Sequence, residues 1–138
     1  MKTVDHIINN NGLLRINLSN LSDNYSFLSE FVKPSRVASV LKSNSYGLGL
    51  EKVAKKLLGL GCKDFFLTSF EEAFALKKIT SKGNVILLNG IIGQSEKKIY
   101  DIFKSKIIPV INSLNELKKF YKYSKKFNIC LLYTSDAA

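Results

Sequence analysis

Hydrophobic positions along the chain switch repeatedly between two periods. Arg36-Val37-Ala38-Ser39-Val40-Leu41 is a short, mostly apolar run with β-branched residues and reads as a buried strand. From Leu50 to Leu60 the period lengthens: Val53, Ala54, Leu57 and Leu58 share one face of a helix, and Gly59 and Gly61 punctuate its end. The pair then recurs. Asp64 to Thr68 reads as a strand, and Ser69 with Glu72 three residues on forms a capping box that opens a helix over Phe70 to Ile79. Asn84 to Leu88 is a predicted strand and Ser95 to Lys104 a helix. Ile107 to Ile111 is a further strand, whose Pro109 suits a strand's start or an irregularity. Ser113 with Glu116 is a second capping box, opening a helix to about Lys126, and Asn128 to Leu132 begins another strand. Ahead of this series Leu13 to Leu18 reads as extended, and Leu21, Tyr25, Leu28 and Phe31-Val32 mark a helix that ends before Pro34.

Regular strand–helix alternation predicts an α/β fold with a parallel sheet and helical crossovers. Five such strands fit an open doubly wound sheet or the first part of a (β/α)8 barrel, and periodicity alone does not separate the two. The chain has 138 residues, whereas a closed barrel of this kind takes ~250. Only a partial barrel is therefore within reach. Apolar residues at 46% and charged residues at 23% are globular proportions and exclude a disordered chain.

Charge adds a competing reading. Lys and Arg number 21 against 11 acidic residues, a net charge of +10, which favours acidic partners such as nucleic acid. Only Arg15 and Arg36 are arginines, however, and readers of base edges use the planar arginine fork. The lysines are scattered over helical stretches (Lys52, Lys55, Lys56, Lys77, Lys78, Lys97, Lys98, Lys118, Lys119), the usual pattern of solvated helix faces. Tyr121 and Tyr123 lie on one such helix, where one packed and one exposed ring is commoner than a stacking platform.

Cys62, Cys130 and His6 do not have metal-ligand spacing, so no metal is expected. Cys62 and Cys130 read as packed residues and His6 as a surface one. Nothing demands a disulfide, and a reducing cytoplasm fits. The stretch from Met1 to Asn11 is polar and lacks the apolar core of a signal peptide, and no apolar run is long enough to span a bilayer.

Candidate chemistry concentrates in Val40-Leu41-Lys42-Ser43-Asn44-Ser45-Tyr46-Gly47-Leu48-Gly49. Lys42 sits at the C-terminal end of a predicted buried strand, the edge where parallel βα folds bind ligands. A lone lysine at a strand end is most often a solvated charge. Flanked by apolar residues, an ammonium is partly desolvated, which favours the neutral amine that Schiff-base chemistry needs. Tyr46 offers a hydroxyl donor, and Gly47 and Gly49 permit tight turns. Neither a Walker P-loop nor a complete G-x-G-x-x-G is present.

Taken whole, this segment resembles the pyridoxal-phosphate lysine motif of alanine racemases, Val-Val-Lys-Ala-Asn-Ala-Tyr-Gly-His-Gly or close variants. Val53-Ala54 with Gly59 to Phe65, Ser69-Phe70-Glu71-Glu72-Ala73-Phe74-Ala75-Leu76-Lys77, Ile86-Leu87-Leu88-Asn89-Gly90 and Pro109-Val110-Ile111-Asn112-Ser113 resemble further family segments in order, from about Leu14 to Leu131.

The resemblance implies the N-terminal part of a (β/α)8 barrel over residues 1–131. It implies pyridoxal 5'-phosphate held as a Schiff base on Lys42, which is then the acid or base on one face of the alanine Cα. Tyr46 matches the position that hydrogen-bonds the cofactor phosphate, and Val40 and Leu88 match positions lining its pocket. It further implies a cytoplasmic homodimer that interconverts L- and D-alanine for peptidoglycan, without nucleic acid or membrane partners. The tyrosine serving the opposite face comes across the dimer and is not Tyr46.

Leu48 replaces the family's histidine. After Ile129 the chain reads Cys130-Leu131-Leu132-Tyr133-Thr134-Ser135-Asp136-Ala137-Ala138, unlike the family, and residues 132–138 are expected to be a cloning or sequencing artefact. With one face's acid–base group only, the 138 residues alone are expected to be inactive. Two other readings stand beside this one: a different barrel-type pyridoxal-phosphate protein (cofactor homeostasis or amino-acid decarboxylation), and a basic nucleic-acid-binding module.

Overall fold

The computed structural model describes residues 4–8 and 12–127, with side chains from Leu14 onward. The order is β1 (Val4–Ile8), β2 (Gly12–Ile16), α1 (Leu18–Phe31), β3 (Ser39–Val40), α2 (Lys42–Tyr46), α3 (Leu50–Gly59), β4 (Asp64–Leu67), α4 (Phe70–Ile79), β5 (Asn84–Leu87), α5 (Glu96–Lys104), β6 (Ile107–Pro109) and α6 (Leu114–Lys126). The side chain of His6, Cys130, the strand expected from Asn128 and residues 132–138 lie outside the described residues.

Helix starts follow their caps. Ser69 accepts a hydrogen bond from the Glu72 N–H, Ser95 from that of Lys98 and Ser113 from that of Glu116, each satisfying one free donor of the first turn. The strand before α1 pairs with β1 as an antiparallel hairpin, with Val4 opposite Ile16 and Ile8 opposite Gly12. β1 is an element the polar reading of the N-terminus missed.

The second sheet is parallel, with strands in the order β3-β4-β5-β6. Sequential order means that every crossover steps in one direction, and right-handed connections then put every helix on one face. A doubly wound sheet would reverse direction and carry helices on both faces. The architecture is thus the singly wound start of a barrel.

Burial agrees. Phe65, Leu67, Val85, Leu87 and Ile107 are at most 3% exposed and share one core with Leu57, Leu76, Ile99 and Ile102 from the helices. Phe66, Ile86 and Ile108, the alternate residues, are only half-buried, and Val40 is 43% exposed. Those four stand in one register row across the sheet.

Lysines on the helix faces meet nearby carboxylates: Lys55 with Glu51, Lys98 with Glu71 and Lys126 with Glu96. Among the described residues no helix is long and apolar enough to cross a membrane.

Candidate active site at the carboxyl edge of the sheet

β3 is short because the chain leaves the sheet abruptly. Leu41 is buried and its N–H still bonds the Phe66 carbonyl at 2.9 Å. Immediately beyond, Ser43, Asn44, Ser45 and Tyr46 all adopt left-handed backbone, with φ between 53 and 55°, and Gly47 and Gly49 follow at 83 and 95°. Each non-glycine residue in that region costs ~1–2 kcal/mol, so such a turn persists only where its surroundings impose it.

Three kinds of contact do so here. Within the turn, the Ser45 N–H donates to the Leu41 carbonyl at 3.0 Å, that of Gly47 to Ser43 at 2.9 Å and that of Gly49 to Asn44 at 2.9 Å. The Asn44 side chain accepts the Leu50 N–H at 2.8 Å and so caps α3, which Gly49 cannot do. The Asn44 N–H donates to Glu72 Oε1 at 2.7 Å, tying the turn to the start of α4. Ser45 is buried, and its hydroxyl has no hydrogen-bond partner among the described residues.

The turn brings Lys42 and Tyr46 together. The Lys42 Nζ lies 6.0 Å from the centroid of the Tyr46 ring, and Tyr46 is 61% exposed. Among the described residues no carboxylate forms an ion pair with Lys42. Val40, the last residue of β3, lies two residues before Lys42 and is exposed. Leu88 lies two strands away and two residues beyond Ile86, with its N–H bonded to the Leu67 carbonyl at 2.8 Å.

Thr68 is the first residue past the carboxyl end of β4, the strand between β3 and β5. The sequence reading passed over it, giving Asp64 to Thr68 only as a strand. An open pocket of about 500 Å³ extends from Thr68 over β4 to β6, lined among others by Ser69, Phe70, Asn89, Ile92 and Asn112. Lys42 and Tyr46 border the edge outside it.

Chemically, a primary amine can join a carbonyl compound covalently, and a phenol O–H can donate to an anion such as a phosphate. One amine and one phenol hydroxyl therefore lie near each other at this edge. Among the described residues no cluster of His, Cys, Asp and Glu could hold a metal ion.

A singly wound βα barrel portion with a lysine at the carboxyl edge of its first parallel strand defines the class. The family model for the N-terminal domain of alanine racemase matches residues 16–135, and the chain belongs to that family. Curated relatives include the alanine racemases of Rickettsia prowazekii, 32% identical over 112 residues, and of Brucella ovis, 36% identical over 110 residues. These alignments take in 80% and 79% of this chain but 27% of each relative. The alanine racemase of Bartonella henselae, solved with covalently bound pyridoxal phosphate, superposes with a TM-score of 0.76 at 33% identity. That match covers 83% of this chain and 31% of the other. The Acinetobacter baumannii alanine racemase, at 19% identity and a TM-score of 0.71, shows the same fold. The chain spans about a third or less of the length of the relatives it matches.

Proposed function

We propose that this chain is the N-terminal part of an alanine racemase that interconverts L- and D-alanine, with Lys42 as its cofactor-bearing and catalytic residue. The observation that carries the reading is the meeting of Lys42 and Tyr46 at the carboxyl edge, inside the segment that resembles the family's lysine motif. The Bartonella henselae relative, with its covalently bound pyridoxal phosphate, supports the choice of cofactor. When bound, that cofactor withdraws electrons from the substrate and so acidifies the alanine Cα–H.

Each residue then has a defined task. The Lys42 amine would hold the cofactor covalently and would take or return the proton at one face of the alanine Cα. The Tyr46 hydroxyl donates to the phosphate, and Val40 and Leu88 form an apolar wall that excludes water. The proton at the opposite face is assigned to a tyrosine from outside this chain, delivered across a homodimer. The enzyme would work in the cytoplasm, and its D-alanine would serve peptidoglycan synthesis.

Borohydride trapping tests the reading directly. The chain is incubated with an equimolar amount of pyridoxal phosphate, reduced and mapped by mass spectrometry. The adduct is expected at Lys42 and is expected to be absent from Lys42→Ala. An adduct confined to other lysines refutes the assignment.

A further inference from the structure

In an ordinary capping box the glutamate at the third helical position turns back to the N-cap backbone. Glu72 does something else. Its Oε2 accepts the Ser69 hydroxyl at 3.1 Å, while its Oε1 reaches 28 residues back in sequence to accept the Asn44 N–H at 2.7 Å. That N–H belongs to the first residues of the left-handed turn, where, as at any helix start, the backbone donors lack internal partners. A carboxylate acceptor makes the bond charge-assisted and strong.

Glu116, at the corresponding position of α6, repeats the arrangement. Its Oε1 accepts the Ile91 N–H at 2.5 Å and its Oε2 the Asn112 N–H at 2.8 Å. In both cases the glutamate lies at the start of the helix after one strand and clamps the loop that follows the preceding, neighbouring strand. In α5 the same position is Lys98, which pairs with Glu71 instead.

We propose that Glu72 is a positioning residue for Lys42: by clamping the Asn44 N–H it holds the left-handed turn that fixes where the Lys42 amine stands. The proposal rests on the reading of Lys42 as the cofactor-bearing lysine. Two facts join them. The turn begins one residue after Lys42, and its four left-handed non-glycine residues are intrinsically unfavourable. Asn44 also caps α3, so a displaced Asn44 would lose both anchors of the turn at once.

The test uses this chain with Glu72→Ala and Glu72→Gln, the latter retaining an acceptor oxygen. Amide hydrogen exchange at Asn44 is expected to accelerate about tenfold or more in Glu72→Ala, and to return most of the way in Glu72→Gln. Trapping of pyridoxal phosphate at Lys42 is expected to fall several-fold in Glu72→Ala, with labelling of the distant Lys55 unchanged, and to recover in Glu72→Gln.

The Ile99 amide, inside α5, reports global unfolding; equal acceleration there in both variants overturns the proposal. Unchanged exchange at Asn44 overturns the clamp. Wild-type trapping at Lys42 that persists undiminished in Glu72→Ala overturns this proposal alone. Failure of the wild-type chain to trap at Lys42 overturns the cofactor reading, and this proposal with it.

Discussion

Gly90, three residues beyond β5, sits at a point where almost nothing but glycine fits. Its φ is +58°, and a Cβ there would come within 3.0 Å of Glu116 Oε1, Glu116 Cδ and the Val110 backbone oxygen. Gly90→Ala first incurs the left-handed penalty, ~1–2 kcal/mol. Val110 cannot retreat, because its own N–H is bonded to the Leu87 carbonyl at 2.9 Å. Glu116 must therefore move, and it is the acceptor for the N–H groups of both Ile91 and Asn112. Leaving one buried donor unsatisfied costs a further ~1–3 kcal/mol. The expected loss is ~2–5 kcal/mol, a large share of the ~5–15 kcal/mol by which domains are stable. Urea unfolding followed by circular dichroism should show the midpoint falling by roughly 2 M at an ordinary slope of ~1–3 kcal/mol/M. Gly93→Ala is the matched control: its φ is +68°, yet a Cβ there meets nothing within 4 Å. If the two variants lose stability equally, to within ~0.5 kcal/mol, the clash with Glu116 is not what requires glycine at position 90.

Ser45→Ala removes a buried hydroxyl that has no partner among the described residues. It should raise stability by up to ~1 kcal/mol, and a loss of that size in the same urea assay would show that the hydroxyl is bonded. The Glu71 carboxyl is held below its ordinary value mainly by the hydrogen bond from Lys98. Its folded value being the lower one, the pair contributes at neutral pH and the contribution disappears as pH falls through that folded value. NMR titration of Lys98→Met should move Glu71 upward toward the ordinary range, with its backbone hydrogen bond still lowering it, and an unmoved titration would exclude Lys98 as the cause. Tyr46→Phe should weaken pyridoxal-phosphate binding by about tenfold, the worth of one charge-assisted hydrogen bond; unchanged affinity in an absorbance titration would remove Tyr46 from the phosphate site.

Local features were legible in the sequence where their causes are local. The helix Phe70–Ile79 matches its predicted bounds because Ser69 caps it, and the apolar spacing of Val53, Ala54 and Leu57 marks the buried face of α3. The N-terminal hairpin escaped notice because Val4–Ile8 sits among polar residues; the Asn11-Gly12 pair beside it was the available turn signal. The choice between a doubly wound sheet and a barrel depends on the side to which each crossover passes, which no local period encodes. The left-handed turn was hidden for a similar reason. Its Ser-Asn-Ser-Tyr sequence contains only one residue type that favours this backbone, and the Glu72 contact that helps hold it comes from 28 residues away. The capping box at Ser69 and Glu72 was visible, but the destination of the second carboxylate oxygen was not.

The two edges of the sheet are built differently, and the contrast supports the proposed site independently of any motif. At the amino edge polar groups are paired at short range. Asn84 donates to Asp64 at 2.7 Å, Arg36 approaches the other Asp64 oxygen at 3.4 Å, and the Asn84 N–H meets the Lys63 carbonyl at 2.7 Å. Buried Cys62 lies 3.4 Å from the Ser39 hydroxyl, and Gly83 is packed so closely on the Phe65 ring that a Cβ would stand 2.8 Å from it. Left-handed backbone there is confined, among the described residues, to Gly61 and one non-glycine residue, Lys106. At the carboxyl edge the backbone runs through four consecutive left-handed non-glycine residues, leaves the Ser45 hydroxyl without a described partner and exposes Tyr46. A fold under selection for stability alone would relax that edge, since each of these features costs free energy. Two buried or half-buried glutamates, Glu116 and Glu72, are instead committed to holding its loops. Strain kept in place by dedicated acceptors, on the edge that carries Lys42, is what a binding site requires when its amine must stand in one position before its ligand arrives.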